Sequence, residues 1–171
     1  MKFTQLASVA FSLCLLVACA DPEPEENVAD VATGVTIALM SNTNEYVSCE
    51  LNAENPNFGI LRANRAEAKD WEKIEMVDLG EGKIALKAAN GKFVCDVRNN
   101  GSLLIANRDG VGEWETFSLD SLGDGKYAIK ASSGKYVSVE HTLPDSISNG
   151  LVANRDAVGD WEKFTLVKNP Q

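Results

Sequence analysis

One nine-residue block occurs three times in this chain, and that recurrence limits the possible folds more than any other feature. Asn107-Arg-Asp-Gly-Val-Gly-Glu-Trp114-Glu115 returns as Asn154-Arg-Asp-Ala-Val-Gly-Asp-Trp161-Glu162. A more diverged copy reads Asn64-Arg-Ala-Glu-Ala-Lys-Asp-Trp71-Glu72. Alanine precedes the asparagine in each copy, an acid precedes the tryptophan, and glutamate follows it. The tryptophans are 43 and 47 residues apart, and the longer step reflects extra residues between Glu140 and Gly150. A fixed period of this size means that one supersecondary unit is used repeatedly.

The rest of the unit is strand-like. Ile84, Leu86 and Ala88 alternate with Ala85 and Lys87, as do Tyr127, Ile129 and Ala131 around their neighbours, which is the two-residue period of a strand with one wet face. Asn90-Gly91 and Ser133-Gly134 supply tight-turn chemistry between apolar runs. The first copy offers Ile37, Leu39, Asn44 and Tyr46 in the same frame. A third strand runs through Leu-Ile-Ala-Asn, and a fourth follows each tryptophan with Ile74 and Met76, Phe117 and Leu119, or Phe164 and Leu166. No stretch carries a convincing helical stripe. Three four-strand units, at about 35–78, 82–121 and 125–167, predict an all-β chain: a β-trefoil with pseudo-three-fold symmetry. A propeller would need more blades, and a solenoid would need atypical capping repeats.

The unit Gly-Lys-Tyr-Val … Leu-x-Ala-Asn-Arg-Asp-x-x-Gly-x-Trp-Glu-x-Phe-x-Leu resembles the fascin-like, or actin-crosslinking-like, β-trefoil domains. The similarity runs from about residue 35 to 167 and is strongest in the third repeat. The first departs most, with Glu45 where the others have Lys92 and Lys135, and Ala66 where they have Asp109 and Asp156. In bacteria such domains often accompany carbohydrate-active enzymes, so the resemblance implies carbohydrate as the ligand class. Fascin-like domains also bind proteins, which supplies the alternative of a protein-interaction or structural module.

Residues 1–18 read as a secretory leader whose apolar run is too short for a permanent membrane span. It ends in Leu16-Val17-Ala18-Cys19, which resembles the bacterial lipobox and implies a lipid-modified Cys19 as the mature N-terminus. Ala20 after the cysteine, in place of aspartate, favours the outer membrane of the cell envelope under the enteric sorting rule. Residues 19–33 are acidic, contain no aromatic side chain and read as a flexible tether, leaving 34–171 as one domain. The whole chain carries a formal net charge of −9 at pH 7, and loss of Lys2 with the leader makes it more negative. Such a field repels phosphate backbones and argues against nucleic acid as a partner.

No residue pattern nominates catalysis, a metal site or a cofactor. His141, the single histidine, sits in the long third-repeat loop with no evident nucleophile or orienting group. The repeated acids Asp70, Glu113, Asp160 and Glu72, Glu115, Glu162 are expected to pair with Arg65, Arg108 and Arg155 and so hold the loop before each fourth strand. Asn64, Asn107 and Asn154 belong to the same structural motif. Trp71, Trp114 and Trp161, at three-fold spacing, could be flat platforms for sugar rings, but the strand alternation after each favours packing in or just under the core, and Tyr46, Phe93 and Tyr136 receive the same expectation. Binding candidates are therefore sought where symmetry is broken: Asn55, Asn57 and Phe58 in the first repeat, Asn99 and Asn100 in the second, His141 in the third. Cys49 and Cys95 are offset by one place in the unit, which puts them on opposite strand faces and disfavours a disulfide. With the ligand class that the fascin-like resemblance implies, these features predict a non-catalytic, carbohydrate-binding lipoprotein.

Overall fold

The computed structural model describes residues 34–52 and 57–171; the leader, the tether with Cys19, and Asn55 lie outside them. The described residues form twelve strands: β1 (Val35–Met40), β2 (Tyr46–Cys49), β3 (Leu61–Arg65), β4 (Ile74–Gly80), β5 (Lys83–Lys87), β6 (Phe93–Val97), β7 (Leu103–Arg108), β8 (Phe117–Gly123), β9 (Lys126–Ala131), β10 (Tyr136–Glu140), β11 (Gly150–Arg155) and β12 (Phe164–Lys168). Six of them close a ring of antiparallel pairs in the order β1, β4, β5, β8, β9, β12 and back to β1. Closure removes the free sheet edges that an open sheet of this length would expose. The other six form three hairpins, β2–β3, β6–β7 and β10–β11, which cap one end of the barrel. This is the expected β-trefoil.

The core is built in layers of three, one residue from each unit. Leu39, Leu86 and Ile129 form one set, Val47, Val94 and Val137 a second, and Leu61, Leu104 and Leu151 a third; all are essentially inaccessible to water. Ile74, Phe117 and Phe164, each three residues after a tryptophan, supply the bulkiest set. Removing such a side chain costs on the order of 2–5 kcal/mol.

The hairpins meet around the pseudo-three-fold axis through Gly150↔Arg62, Val152↔Leu103 and the bridge Ile60↔Ile105. A second apolar cluster, Ile60, Leu103, Ile105 and Val152, fills that junction. Gly150 holds the place that Ile60 and Leu103 hold in the other units. A Cβ there would lie 3.1 Å from Leu143 Cδ1 and 3.2 Å from Leu103 Cδ1, so Leu143 of the long third-repeat loop takes the volume of the missing side chain. Arg62 anchors that loop, donating from Nε to the Ser148 carbonyl at 2.8 Å and from Nη1 to the Ser146 carbonyl at 3.3 Å.

Gly59, Ser102 and Asn149 are equivalent hairpin positions, and all three have positive φ, at 82°, 60° and 58°. Only at Gly59 would a Cβ come within 2.8 Å of a backbone oxygen, that of Ala106. Gly59→Ala is therefore expected to lower the unfolding free energy by about 2 kcal/mol or more, combining left-handed strain with the clash. Ser102→Gly at the equivalent place should change it by less than about 1 kcal/mol. Urea unfolding midpoints of the two variants check the contrast.

Candidate functional site

Each repeated block folds into a tight turn between the third and fourth strands of its unit. Glu72, Glu115 and Glu162 point inward and are 3%, 7% and 4% exposed despite their charge. One carboxylate oxygen accepts the backbone N–H three residues upstream, from Lys69 at 2.8 Å, Gly112 at 2.9 Å and Gly159 at 2.6 Å. The other faces the guanidinium Nε of Arg65 at 3.9 Å, Arg108 at 3.5 Å and Arg155 at 3.5 Å. Burying a carboxylate requires compensation of this kind.

The acids before the tryptophans behave otherwise than expected. Asp70 pairs with Lys73 at 3.2 Å and Asp160 with Lys163 at 2.9 Å, whereas Glu113 is bound by Arg98 at 2.9 Å. None of them reaches the arginine of its own block, because that arginine is already directed inward to the buried glutamate.

The aromatic residues also depart from expectation. Trp71 and Trp114 are half-buried and Trp161 is 37% exposed, so none belongs to the core. In each turn the glutamate takes the inward direction, and the core volume goes to Ile74, Phe117 or Phe164 three residues later. The indoles are left on the flank of the barrel. Arg98 lies over the Trp114 ring at 5.6 Å, and Arg155 over Trp161 at 5.9 Å. His141 meets Trp161 edge-on at 5.0 Å, with its Nδ1 2.7 Å from Asn149 Oδ1. Tyr46, Phe93 and Tyr136 are half-buried too; Lys130 lies over the Tyr136 ring at 5.0 Å, and the Tyr136 hydroxyl donates to Asp120 at 2.7 Å.

A second buried carboxylate escaped the sequence reading. Glu50, directly after β2, and Glu140, the last residue of β10, are equivalent and are 8% and 7% exposed. Asn64 Nδ2 donates to Glu50 Oε1 at 2.8 Å, and Arg65 lies 3.1 Å from the same oxygen. Arg155 Nη2 donates to Glu140 Oε2 at 2.6 Å, and the Thr142 hydroxyl to Oε1 at 2.8 Å. Burial pushes the Glu140 carboxyl up, but the Thr142, Arg155 and Asn154 donors outweigh it and hold the group below its ordinary value. The available signal was the shared spacing of Tyr46 to Glu50 and Tyr136 to Glu140. The second repeat has Val97 there, and its Asn107 and Arg108 are exposed.

Among the described residues, cavities lie at two of the turns and at the hairpin junction. In the first repeat Arg65, Glu67, Lys69, Asp70, Trp71 and Glu72 line one of about 480 Å³. In the third, Arg155, Val158, Gly159, Asp160, Trp161 and Glu162 line its counterpart of about 520 Å³. A third, about 510 Å³, lies over the hairpin junction between Asn57, Ile60, Asn100, Leu103, Leu143 and Val152. The symmetry-breaking candidates thus divide. Asn57 and Asn100 converge on the junction cavity, Asn99 is exposed beside it, and Phe58 is 50% exposed on the same loop as Asn57. His141 instead lies against the Trp161 ring, outside the lining of the third-repeat cavity.

Cys49 and Cys95 are buried free thiols, pushed up by burial to about 12 and about 11. Among the described residues no group of three or more His, Cys, Asp or Glu side chains is arranged to hold a metal ion.

No protein-family model matches the chain, and no curated protein matches it. Solved structures do. ThreeFoil, a designed three-fold symmetric protein, superposes with a TM-score of 0.65 at 23% identity, over 77% of this chain and 97% of that one. SeviL, solved bound to asialo-GM1 saccharide, gives 0.61 at 17% identity over 80% of this chain and 99% of its own. The exo-β-1,3-galactanase 1,3Gal43A from Clostridium thermocellum gives 0.64 at 18% identity, over 78% of this chain but 30% of that one. At these identities the likeness shows the fold alone.

The Glu140 network has a pH signature. Its folded-state pKa lies below the unfolded value, so its contribution is present above that value and is lost as pH falls through the folded one. Unfolding midpoints measured from pH 7 down to about 3 should fall less steeply for Glu140→Gln than for the parent chain. Parallel curves would contradict the assigned interaction.

Proposed function

We propose that this chain is a non-catalytic, glycan-binding lipoprotein of the bacterial outer membrane, held there through Cys19 and reaching outward on its acidic tether. The observation that carries the glycan reading is that the same open cavity is built twice, beside Trp71 and beside Trp161, by corresponding residues. A partly exposed indole gives a flat apolar face for the C–H side of a sugar ring, and the charged rim offers partners for its hydroxyls. The acidic surface favours neutral glycans over sulfated or uronate-rich ones. The exo-β-1,3-galactanase makes β-galactosyl glycans the first probes, with the asialo-GM1 saccharide beside them.

The carboxylates support a binding role. A glycosidase needs an acid held protonated, with its pKa raised, opposite a second carboxylate. Here Glu72, Glu115 and Glu162 are committed to backbone and guanidinium donors, and Glu140 is shifted downward. The fascin-like resemblance adds a second reading, a protein partner, which the exposed Phe58 side chain favours.

On a glycan array the chain should be retained by neutral β-galactosides. The double variant Trp71→Ala/Trp161→Ala should lose at least about tenfold in affinity, equivalent to about 1.4 kcal/mol. Phe58→Ala should bind as the parent does. Undiminished binding by the double variant would remove the flank cavities from consideration. Capture of an envelope protein that depends on Phe58, with no sugar retained, would favour the second reading. The anchor is tested separately: Cys19→Ser should move the protein from the detergent-extracted membrane fraction to the soluble one, and an unchanged distribution would count against lipidation.

A further inference from the structure

We propose that Arg98 occupies the flank site of the second repeat from within, so that the chain presents two glycan sites, at Trp71 and Trp161, and not three. This rests on the flank cavities being the glycan sites. Arg98 follows β6 at the place held by Leu51 in the first unit and His141 in the third. Its Nη1 donates to Glu113 Oε1 at 2.9 Å, its Nη2 to Ser132 Oγ at 2.6 Å, and its Nε to Asp96 Oδ2 at 3.4 Å. The same guanidinium lies 5.6 Å from the centroid of Trp114.

One side chain thereby takes up the indole face and the acid beside it, the groups that a ligand would use there. A planar cation with a fork of donors suits that task, since it satisfies carboxylate and hydroxyl acceptors while resting on a π face. Asp96 secures it from below. This carboxylate is fully buried in β6, and its Oδ1 has no hydrogen-bond partner. The cost of burying it is intelligible if its role is to hold the guanidinium in place.

Among the described residues no cation is placed over Trp71. In the third repeat Arg155 lies over Trp161 at 5.9 Å, but it is held by Glu140 and Glu162 and leaves Asp160, the acid beside the indole, to Lys163. Leu51 has no polar group to offer, and His141 meets Trp161 edge-on and leaves it 37% exposed. There the acid before the tryptophan pairs with a lysine of its own turn, Lys73 or Lys163, and Thr116 replaces that lysine in the second repeat. Val97 has also displaced the buried glutamate that Glu50 and Glu140 provide. With Asp96 standing where the other units have Cys49 and Val139, the second unit therefore differs from both at four linked positions: Asp96, Val97, Arg98 and Thr116.

The test follows the indole N–H signals of the full mature chain by NMR, assigned through single Trp→Phe variants, during titration with lactose and β-1,3-galactobiose. The Trp71 and Trp161 signals should move while Trp114 stays still, with a stoichiometry of about two; in Arg98→Ala the Trp114 signal should join them and the stoichiometry rise to about three. A Trp114 response in the parent chain, or an Arg98→Ala protein that still binds two, overturns the proposal. Binding with all three indoles silent overturns both this and the flank-site reading. If neither sugar binds, the galactoside reading fails and Arg98 is judged without ligand. In a Trp71→Phe/Trp161→Phe background, Arg98→Ala should raise acrylamide quenching of Trp114 about twofold. Unchanged quenching would refute the proposed cover, and Arg98→Gln repeats the measurement should the alanine variant fail to fold.

Discussion

The interaction on which the rest depends is the inward-turned glutamate of each repeated block. A charged group in Glu72, Glu115 or Glu162 is held out of water by one backbone N–H and one guanidinium. That choice fixes the path of the turn. With the glutamate inside, the tryptophan before it must face the flank, and the apolar residue two places later enters the barrel. The core layer of Ile74, Phe117 and Phe164 and the outward row of indoles are therefore two results of one hydrogen-bonded clamp. The surrounding arginines are partly exposed, so water screens the ion pairs, and the backbone bond is the directional element.

Around that common frame the three units have diverged in linked sets. The first unit lacks both partners of a surface ion pair that the other two share. Lys92 binds Asp109 and Lys135 binds Asp156, whereas Glu45 and Ala66 stand at the corresponding places. The second unit has Val97 in place of the buried glutamate and carries the Arg98–Asp96 pair. The third lengthened its hairpin loop, gave up a side chain at Gly150 and refilled the space with Leu143. Each change is accompanied by another that restores packing or charge. This is what an interior packed at near-crystal density demands of a symmetric scaffold that departs from symmetry.

The fold was legible because its signals were local and repeated. The alternation in Ile84–Lys87 and 127–131, the Asn-Gly turn and the threefold period each pointed to strands, and the strand pairing agrees. The flank site was harder to see. A tryptophan before a strand looks like core material, and no sequence rule says which of two adjacent residues in a turn will face inward. Treating every recurrent residue as structural then removed Trp71 and Trp161 from the binding candidates. Asn57 and Asn100 were nominated from polar loops, and they do share one cavity, because all three hairpin ends converge on the same axis. Glu50 and Glu140 were missed since their network joins residues 14 and 15 apart across a hairpin, a register that spacing alone does not reveal.

Recurrence marks outward-facing positions as well as the scaffold. Residues repeated by a fold are those whose backbone setting is the same in each unit, and an identical setting also positions side chains on the outside identically. A unit that must turn sharply before its last strand needs a buried acceptor for its backbone donors. The neighbours of that acceptor are then displayed at fixed orientation without further cost. A surface produced in this way is preorganised, and preorganisation is what keeps the entropic cost of binding low. Repetition of the turn thus yields candidate sites as a by-product of folding, and a few linked substitutions facing one of them, as around Arg98, can fill it without disturbing the barrel beneath it.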